Sequence, residues 1–147
     1  MIGQTLSWAV RMGCMVHLVH SSLYEVTETY GESMLPTLSW HGDFVHVNKL
    51  CRNGRNCRIG DIIIATKPTL PSQRVCKRIT GMPGDYVLID PTIKNSTQMI
   101  QVPAGHVWVT GDNMSQSIDS RTYGPLPLGL IKGKIVGVSS GFSFRSI

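Results

Sequence analysis

After Val26, hydrophobic and polar residues alternate along most of the chain, and this period of two predicts β-strands. The predicted strands are short segments rich in Val, Ile and aromatic residues, at 43–47, 61–65, 74–79, 86–89, 106–110 and 135–138. Turn-forming pairs such as Asn53-Gly54 and Pro83-Gly84 separate them. Many short strands joined by glycine-rich turns indicate a mainly β protein, either an antiparallel barrel or a sandwich.

The N-terminal segment follows a different pattern. Residues 2–23 are the richest apolar stretch of the chain, yet Arg11, His17 and His20 interrupt it. A membrane-spanning helix needs about twenty largely uncharged residues, so the segment fits either a membrane anchor or an amphipathic interfacial or core helix. We expect residues 1–24 to form a hydrophobic helix and residues 25–147 to form one β domain.

The formal net charge of +5 comes partly from a loop that carries Lys49, Arg52, Arg55 and Arg58. The loop has no interleaved aromatic residues and no nucleic-acid-binding motif, so we do not expect nucleic acid as a partner. A solvent-exposed edge is the simplest interpretation, and an anionic membrane surface would suit its charge.

The four cysteines are Cys14, Cys51, Cys57 and Cys76, and they form no C-x-x-C pair and no spacing with histidine that binds zinc. We therefore expect no metal site. Whether Cys51 and Cys57 form a disulfide is an open question, because the sequence does not show whether their loop folds back.

Ser33 lies in a short loop between Gly31 and Pro36. Glycine accepts backbone angles that other residues avoid, while proline fixes its own φ and favours extended geometry before it. Such a loop holds a hydroxyl in one orientation, as a nucleophile requires. A serine without a base is inert, so a polar turn residue is the alternative.

A candidate base lies in the predicted strand 74–79. Side chains alternate along a strand, so Lys77 shares a face with Val75 and Ile79. Burial disfavours an ammonium ion and lowers its pKa. At an unperturbed pKa only about one lysine in 2,500 is neutral at pH 7, so burial would make this side chain a far better base. The alternative is a lysine that reaches solvent from a strand edge.

The segment 111–121 follows the predicted strand 106–110 and is dense in short polar residues. Asp119 and Arg121 are spaced to form a charge-assisted pair, and Ser117 is placed to accept a hydrogen bond from a lysine. Taken alone, the segment also fits a well-capped turn with a surface ion pair.

Together these three segments resemble the type I signal peptidases in order and spacing. The matching motifs are Gly31-x-Ser33-Met34-x-Pro36-Thr37, Arg74-x-x-Lys77-Arg78-x-x-Gly81-x-Pro83-Gly84-Asp85 and Gly111-Asp112-Asn113-x-x-x-Ser117-x-Asp119-Ser120-Arg121. The resemblance covers about 29–138. It implies a mainly β fold, the coiled antiparallel β-barrel of signal peptidases, with an N-terminal hydrophobic helix.

The resemblance also implies a serine endopeptidase with a Ser-Lys dyad. Ser33 resembles the acylating nucleophile, Lys77 its general base, and Ser117 the hydroxyl that orients the lysine. This acyl-transfer chemistry uses no metal and no organic cofactor, so we expect neither.

Further residues resemble the supporting parts of the family's site. Asp119 and Arg121 resemble an ion pair beneath the dyad, with Asp112 nearby in the same motif. The backbone N–H groups of Ser33 and Gly31 are the expected oxyanion donors. Bacterial members often carry a serine where this chain has Gly31, and the loss of one such donor typically costs about 2.7–4 kcal/mol in kcat.

Within the family, the short connection between Asp85 and Gly105 is similar to the mitochondrial members, whereas bacterial ones insert a large domain there. Relatives of the endoplasmic reticulum carry histidine in place of Lys77. The resemblance thus implies a protease at the mitochondrial inner membrane that faces the intermembrane space and removes sorting presequences from precursor polypeptides. It also implies a heteromer with a sister protease subunit.

Two alternatives stay open at this point. One is another Ser-Lys peptidase of the same fold, such as the self-cleaving repressors, although those carry a DNA-binding domain before the peptidase. The other is a catalytically inactive β-barrel that binds extended peptides. A Ser-His-Asp hydrolase is disfavoured because the sequence around Ser33 lacks the second glycine of a nucleophile elbow.

Overall fold

A computed structural model describes residues 2–141 and 143–147. The chain begins with helix α1 (Ile2–Ser22) and continues in short strands and turns. The strands are β1 (Tyr24–Thr29), β2 (Asp43–Asn48), β3 (Ile62–Lys67), β4 (Leu70–Gly81), β5 (Tyr86–Leu88), β6 (Met99–Gln101), β7 (His106–Thr110), β8 (Leu126–Pro127), β9 (Ile131–Ser140) and β10 (Ser143–Ser146). One further short helix, α2, spans Ser120–Tyr123.

One antiparallel sheet organises the β domain. Its strand order is β1-β2-β9-β3-β4-β7-β8, with β10 paired to β9, and β5 and β6 form a separate hairpin. The prediction of a mainly antiparallel β protein with an N-terminal helix is confirmed. Among the described residues the sheet is an open path that ends at β1 and β8, so it does not close into a barrel.

Strand β4 is only partly paired along one edge. Leu70 and residues 74–78 pair with β3, but only Arg78, Ile79 and Gly81 pair with β7 on the other side. The first two thirds of β4 therefore present an edge with no strand partner in the described structure. Among residues 2–141 and 143–147, strand β1 pairs only with β2, so its outer edge is open as well.

Strand β3 is buried on both faces and separates two apolar layers. Ile63 and Ala65 pack in one layer with Ile79, while Ile62 and Ile64 pack in the other. The second layer also contains Met34, the last residue of the Ser33 turn, and Leu38, which follows it. Burial of these two side chains therefore fixes the turn against the sheet.

Helix α1 meets the β domain at its C-terminal end. The Lys49 ammonium donates to the backbone oxygens of His20 (3.0 Å) and Ser21 (3.3 Å), which the helix leaves without internal partners. No helix in the described part of the chain is long and apolar enough to cross a membrane.

All six predicted strands are present, with ends that differ by a few residues. The alternation did not single out β1, β6, β8 and β10 as separate strands. The last three are two to four residues long, and β6 and β10 are largely exposed, so little apolar signal marks them. Cys51 and Cys57, whose pairing was open, are both buried free thiols.

Candidate active site

Ser33 lies in a single 3₁₀ turn, Glu32–Met34, between β1 and β2. The turn starts at Gly31, whose φ of 110° favours glycine because a side chain would strain the backbone there. The carbonyl oxygen of Ser33 accepts a hydrogen bond from the N–H of Asn113 (3.0 Å). The turn is thus held between the apolar layer below it and the loop that follows β7.

Lys77 is buried, with only 4% of its surface exposed. It lies on the same face of β4 as Ile79, as the alternation predicted. Among the described residues it has no ion-pair partner within 4.0 Å. Loss of water around the ammonium lowers the pKa of Lys77 below its ordinary value.

Ser33 and Lys77 line the same cavity, which has a volume of about 110 Å³. Met34, Leu38 and Cys76 contribute apolar or weakly polar walls to it. The structure therefore brings Ser33 and the buried Lys77 to one small space from segments that are 44 positions apart in the chain.

The Ser117 hydroxyl lies close to Gly111, near the backbone carbonyl of Ser33. A β-carbon placed on Gly111 would overlap both the Ser117 hydroxyl and the Ser33 carbonyl, so this glycine permits their close approach. The Ser117 hydroxyl is buried and has no hydrogen-bond partner among the described residues. A buried hydroxyl without a partner is costly, which suggests that it is kept for interaction with another group.

Asp119 is fully buried beneath this loop. Its carboxylate accepts hydrogen bonds from the Gly111 N–H (2.9 Å) and from Nε (2.9 Å) and Nη2 (3.0 Å) of Arg121. Burial alone would raise the pKa of Asp119, but these hydrogen bonds hold it below its ordinary value. Arg121 also donates to the carbonyls of Met114 and Ser117, so the pair shapes the whole loop.

Asp112 joins three parts of the site. It accepts from Nε (2.8 Å) and Nη2 (2.6 Å) of Arg78 on β4, and from the Thr37 hydroxyl (2.5 Å) in the segment after Ser33. Burial would raise the pKa of Asp112, but these donors hold it lower. The carboxylate therefore links the serine segment to the strand that carries Lys77, a contact that motif spacing alone did not predict.

Gly31 differs from its expected role as an oxyanion donor. Its N–H donates to the carbonyl of Trp40 (2.8 Å), so this donor is already engaged in the structure. Nothing lies within 4 Å of the position that a side chain at Gly31 would take. We therefore do not retain the Gly31 N–H as a donor to substrate.

A longer gap runs from this cavity between the open edges of β1 and β4. It includes a second cavity of about 240 Å³, lined by Thr27 and Thr29 on one side, Arg74 and Cys76 on the other, and Ile64. At its far end an ion pair joins Glu25 on β1 to Arg74 on β4 (2.6 Å). Sequence reasoning missed this pair because the two residues are 49 positions apart.

The described residues contain no group of three or more His, Cys, Asp or Glu side chains that could hold a metal ion.

Comparison with known proteins identifies the family. The family described as signal peptidase, peptidase S26, matches residues 2–94 and 90–139. A mitochondrial inner membrane protease subunit 1 of Saccharomyces cerevisiae is 55% identical and aligns over 93% of this chain and 78% of its own. The chain belongs to the signal peptidase family, peptidase S26, and is a serine endopeptidase.

Two more distant similarities complete the comparison. Mitochondrial inner membrane protease subunit 2 of the same yeast is 35% identical over 82% of this chain and 70% of its own. The crystal structure of a signal peptidase I from Enterococcus faecalis is 26% identical and covers 54% of this chain and 96% of its own, with a TM-score of 0.44. This TM-score is too low to compare the bacterial structure with the present fold in detail.

Proposed function

We propose that this endopeptidase removes sorting presequences from precursor proteins at the mitochondrial inner membrane, with its catalytic domain facing the intermembrane space. The proposal is supported by the relative from Saccharomyces cerevisiae, whose name places it in that membrane and whose sequence is 55% identical. The observation that carries the chemistry is the shared cavity of Ser33 and the buried Lys77.

Lys77 is the general base in this proposal. Its lowered pKa increases the fraction of neutral amine near neutral pH. The neutral amine takes the Ser33 proton, and the Ser33 oxygen attacks the scissile carbonyl to form an acyl-enzyme ester. The lysinium then gives this proton to the leaving amine. Water hydrolyses the ester, again with Lys77 as the base.

The remaining site residues position this pair. Ser117 orients the lysine through its unpartnered hydroxyl, and Asp119 with Arg121 holds the loop that carries it. Asp112 keeps the serine segment beside β4. The Ser33 N–H serves as an oxyanion donor, while the second donor comes from a group other than the Gly31 N–H.

The substrate lies in the gap between β1 and β4. Both strands have open edges there, and an extended peptide would satisfy their backbone groups by adding a strand. The cavities beside Ile64 and Cys76 then receive alternate side chains of the peptide. Backbone pairing explains how one site accepts several precursors, while the cavities restrict the residues before the cut.

We further propose the arrangement of the protein at the membrane. Residues 1–24 form a membrane-anchor or interfacial segment, and residues 25–147 form the catalytic domain. A heteromer with a sister subunit is supported by the similarity to subunit 2 of the yeast protease.

The test is incubation of the full chain in detergent with candidate presequence peptides, followed by mass spectrometry of the products. The wild-type chain should cut at one bond and the Ser33→Ala variant at none, with unchanged circular dichroism. Exposed Ser115→Ala is the matched control and should cleave normally. Cleavage by Ser33→Ala at the wild-type rate would refute the proposed nucleophile.

A further inference from the structure

A cavity of about 300 Å³ lies where α1 meets the β domain, away from the candidate active site. Ser22, the last residue of α1, forms part of its wall, and so do four basic residues. The basic residues are Lys49, Arg52, Arg55 and Lys132. No aspartate or glutamate lines the cavity, and its volume falls in the usual range of small-ligand sites.

Three of the four basic side chains have no neutralising partner. Lys49 pairs with Glu25 (2.5 Å) and caps the end of α1, so its charge is already used. Within residues 2–141 and 143–147, Arg52, Arg55 and Lys132 form no ion pair. Several positive charges around one concave site, with no negative charges to balance them, favour the binding of an anion there.

The donor set favours phosphate over a single carboxylate. Two guanidinium groups and one ammonium offer more donors than two carboxylate oxygens accept, and guanidinium groups bind phosphate oxygens in pairs. Arg52 and Arg55 flank Asn53 and Gly54, both of which have positive φ. The two arginines therefore lie at the two ends of one tight backbone turn.

The surroundings of the cavity are apolar on one side. Leu50 lines the cavity and is 61% exposed. Helix α1, which ends at the cavity, exposes large apolar side chains that include Trp8, Met15 and Val16. A phosphate with hydrocarbon attached beside it matches this combination better than a free ion does.

We propose that this cavity binds the phosphate group of an anionic phospholipid. The lipid's acyl chains lie along the exposed apolar side of α1, and its headgroup enters between the two arginines. None of Ser33, Lys77, Ser117 or Asp119 lines the cavity, so the proposal does not depend on the proposed catalytic roles.

The test compares vesicle binding of two double variants with equal loss of charge. Arg52→Gln/Arg55→Gln removes cavity charges, and Arg58→Gln/Lys94→Gln removes two exposed charges that do not line the cavity, one of them in the same loop. Flotation of the full chain is measured with vesicles of phosphatidylcholine alone and of phosphatidylcholine with phosphatidylglycerol. We expect wild type to prefer the anionic vesicles, with a loss of about fivefold per cavity charge removed, and about twofold or less for the control.

A second arm separates lipid from free phosphate. In zwitterionic detergent, inorganic phosphate is titrated while the Nε–H signals of Arg52 and Arg55 are followed by NMR, with each signal assigned by its substitution. Signals that move with short-chain phosphatidylglycerol at lower concentration than with inorganic phosphate support the lipid. Equal loss of vesicle binding in both double variants, or signals that respond only to inorganic phosphate, would overturn the proposal.

Discussion

Lys77 and Arg78 are neighbours on β4 and both have basic side chains, but the surroundings on the two faces of the strand shift their pKa values in opposite directions. Arg78 lies on the face toward Asp112 and forms two hydrogen bonds with its carboxylate, which raise the pKa of Arg78. Lys77 lies on the other face, buried and without an ion-pair partner among the described residues, and its pKa is lowered.

The comparison separates structural cations from a reactive one. A cation paired with a carboxylate keeps its proton, so Arg78 and Arg121 can hold loops in place but cannot take a proton from a hydroxyl. A buried amine without a carboxylate loses its proton more easily. Substitution of each basic residue, or of its carboxylate partner, therefore tests which residues are structural and which one takes the proton.

The largest effect is expected from changing the amine itself. Lys77→Met removes the base, and we expect kcat to fall by about 10⁴-fold or more. Lys77→Arg should be equally inactive, because a guanidinium group stays protonated at working pH. Peptide cleavage measured by mass spectrometry checks both variants.

Exposed Lys94→Met is the matched control and should leave the rate unchanged. Near-UV circular dichroism establishes that the Lys77 variants are folded. Measurable cleavage by a folded Lys77→Arg variant would contradict the neutral-amine mechanism.

The next largest effect concerns the buried Asp119–Arg121 pair. Asp119→Ala leaves Arg121 with only 9% of its side chain exposed and without its main partner, so we expect a loss of about 3 kcal/mol in the free energy of unfolding. The pKa of Asp119 is lowered from 3.8, so its contribution is full above that value and fades as the pH falls through the lower folded pKa.

Urea denaturation at neutral and acidic pH measures this contribution. Lys134→Gln is the comparison variant, because the Lys134–Asp61 pair is more exposed and should contribute about 1 kcal/mol or less. Equal losses from the two substitutions would mean that burial of the Asp119 pair has no special role.

Ser117→Ala should separate activity from stability. We expect about a tenfold fall in kcat, because the lysine loses an orienting acceptor. The free energy of unfolding should stay level or rise, since the substitution removes a buried hydroxyl that has no partner in the described structure. A variant that loses stability while keeping its rate would assign Ser117 a purely structural role.

The smallest effect is expected at Glu25. This carboxylate pairs with Lys49 and Arg74, and the Arg74 side chain is 54% exposed, so the link across the gap is only partly shielded from water. Glu25→Gln should raise KM about two- to fivefold with kcat nearly unchanged, because it loosens the gap without touching the dyad. A change in kcat alone would argue against a role in substrate binding.

Local sequence patterns predicted most of the strands and the buried face of β4. They did not predict the contacts between segments that are distant in the chain. The alternation around Lys77 predicted its buried face, and two of the three motifs contain Ser33 and Lys77, which line one cavity. The links of Asp112 to Thr37 and of Glu25 to Arg74 depend on how the sheet curves, which no local spacing records. The hydrogen bond from the Gly31 N–H to the Trp40 carbonyl lies within the connection between β1 and β2, and the motif around Ser33 did not indicate it.

Titration of Lys77 is the most direct test of the central claim. In a Ser33→Ala chain labelled with ¹³C at lysine, the Cε chemical shift of Lys77 is followed against pH. We expect the pKa of Lys77 to lie clearly below its ordinary value of 10.5. The kcat/KM of wild type should rise as pH increases through that same pKa. A Lys77 pKa equal to or above this ordinary value of 10.5 would contradict the claim that a buried, uncharged amine activates Ser33.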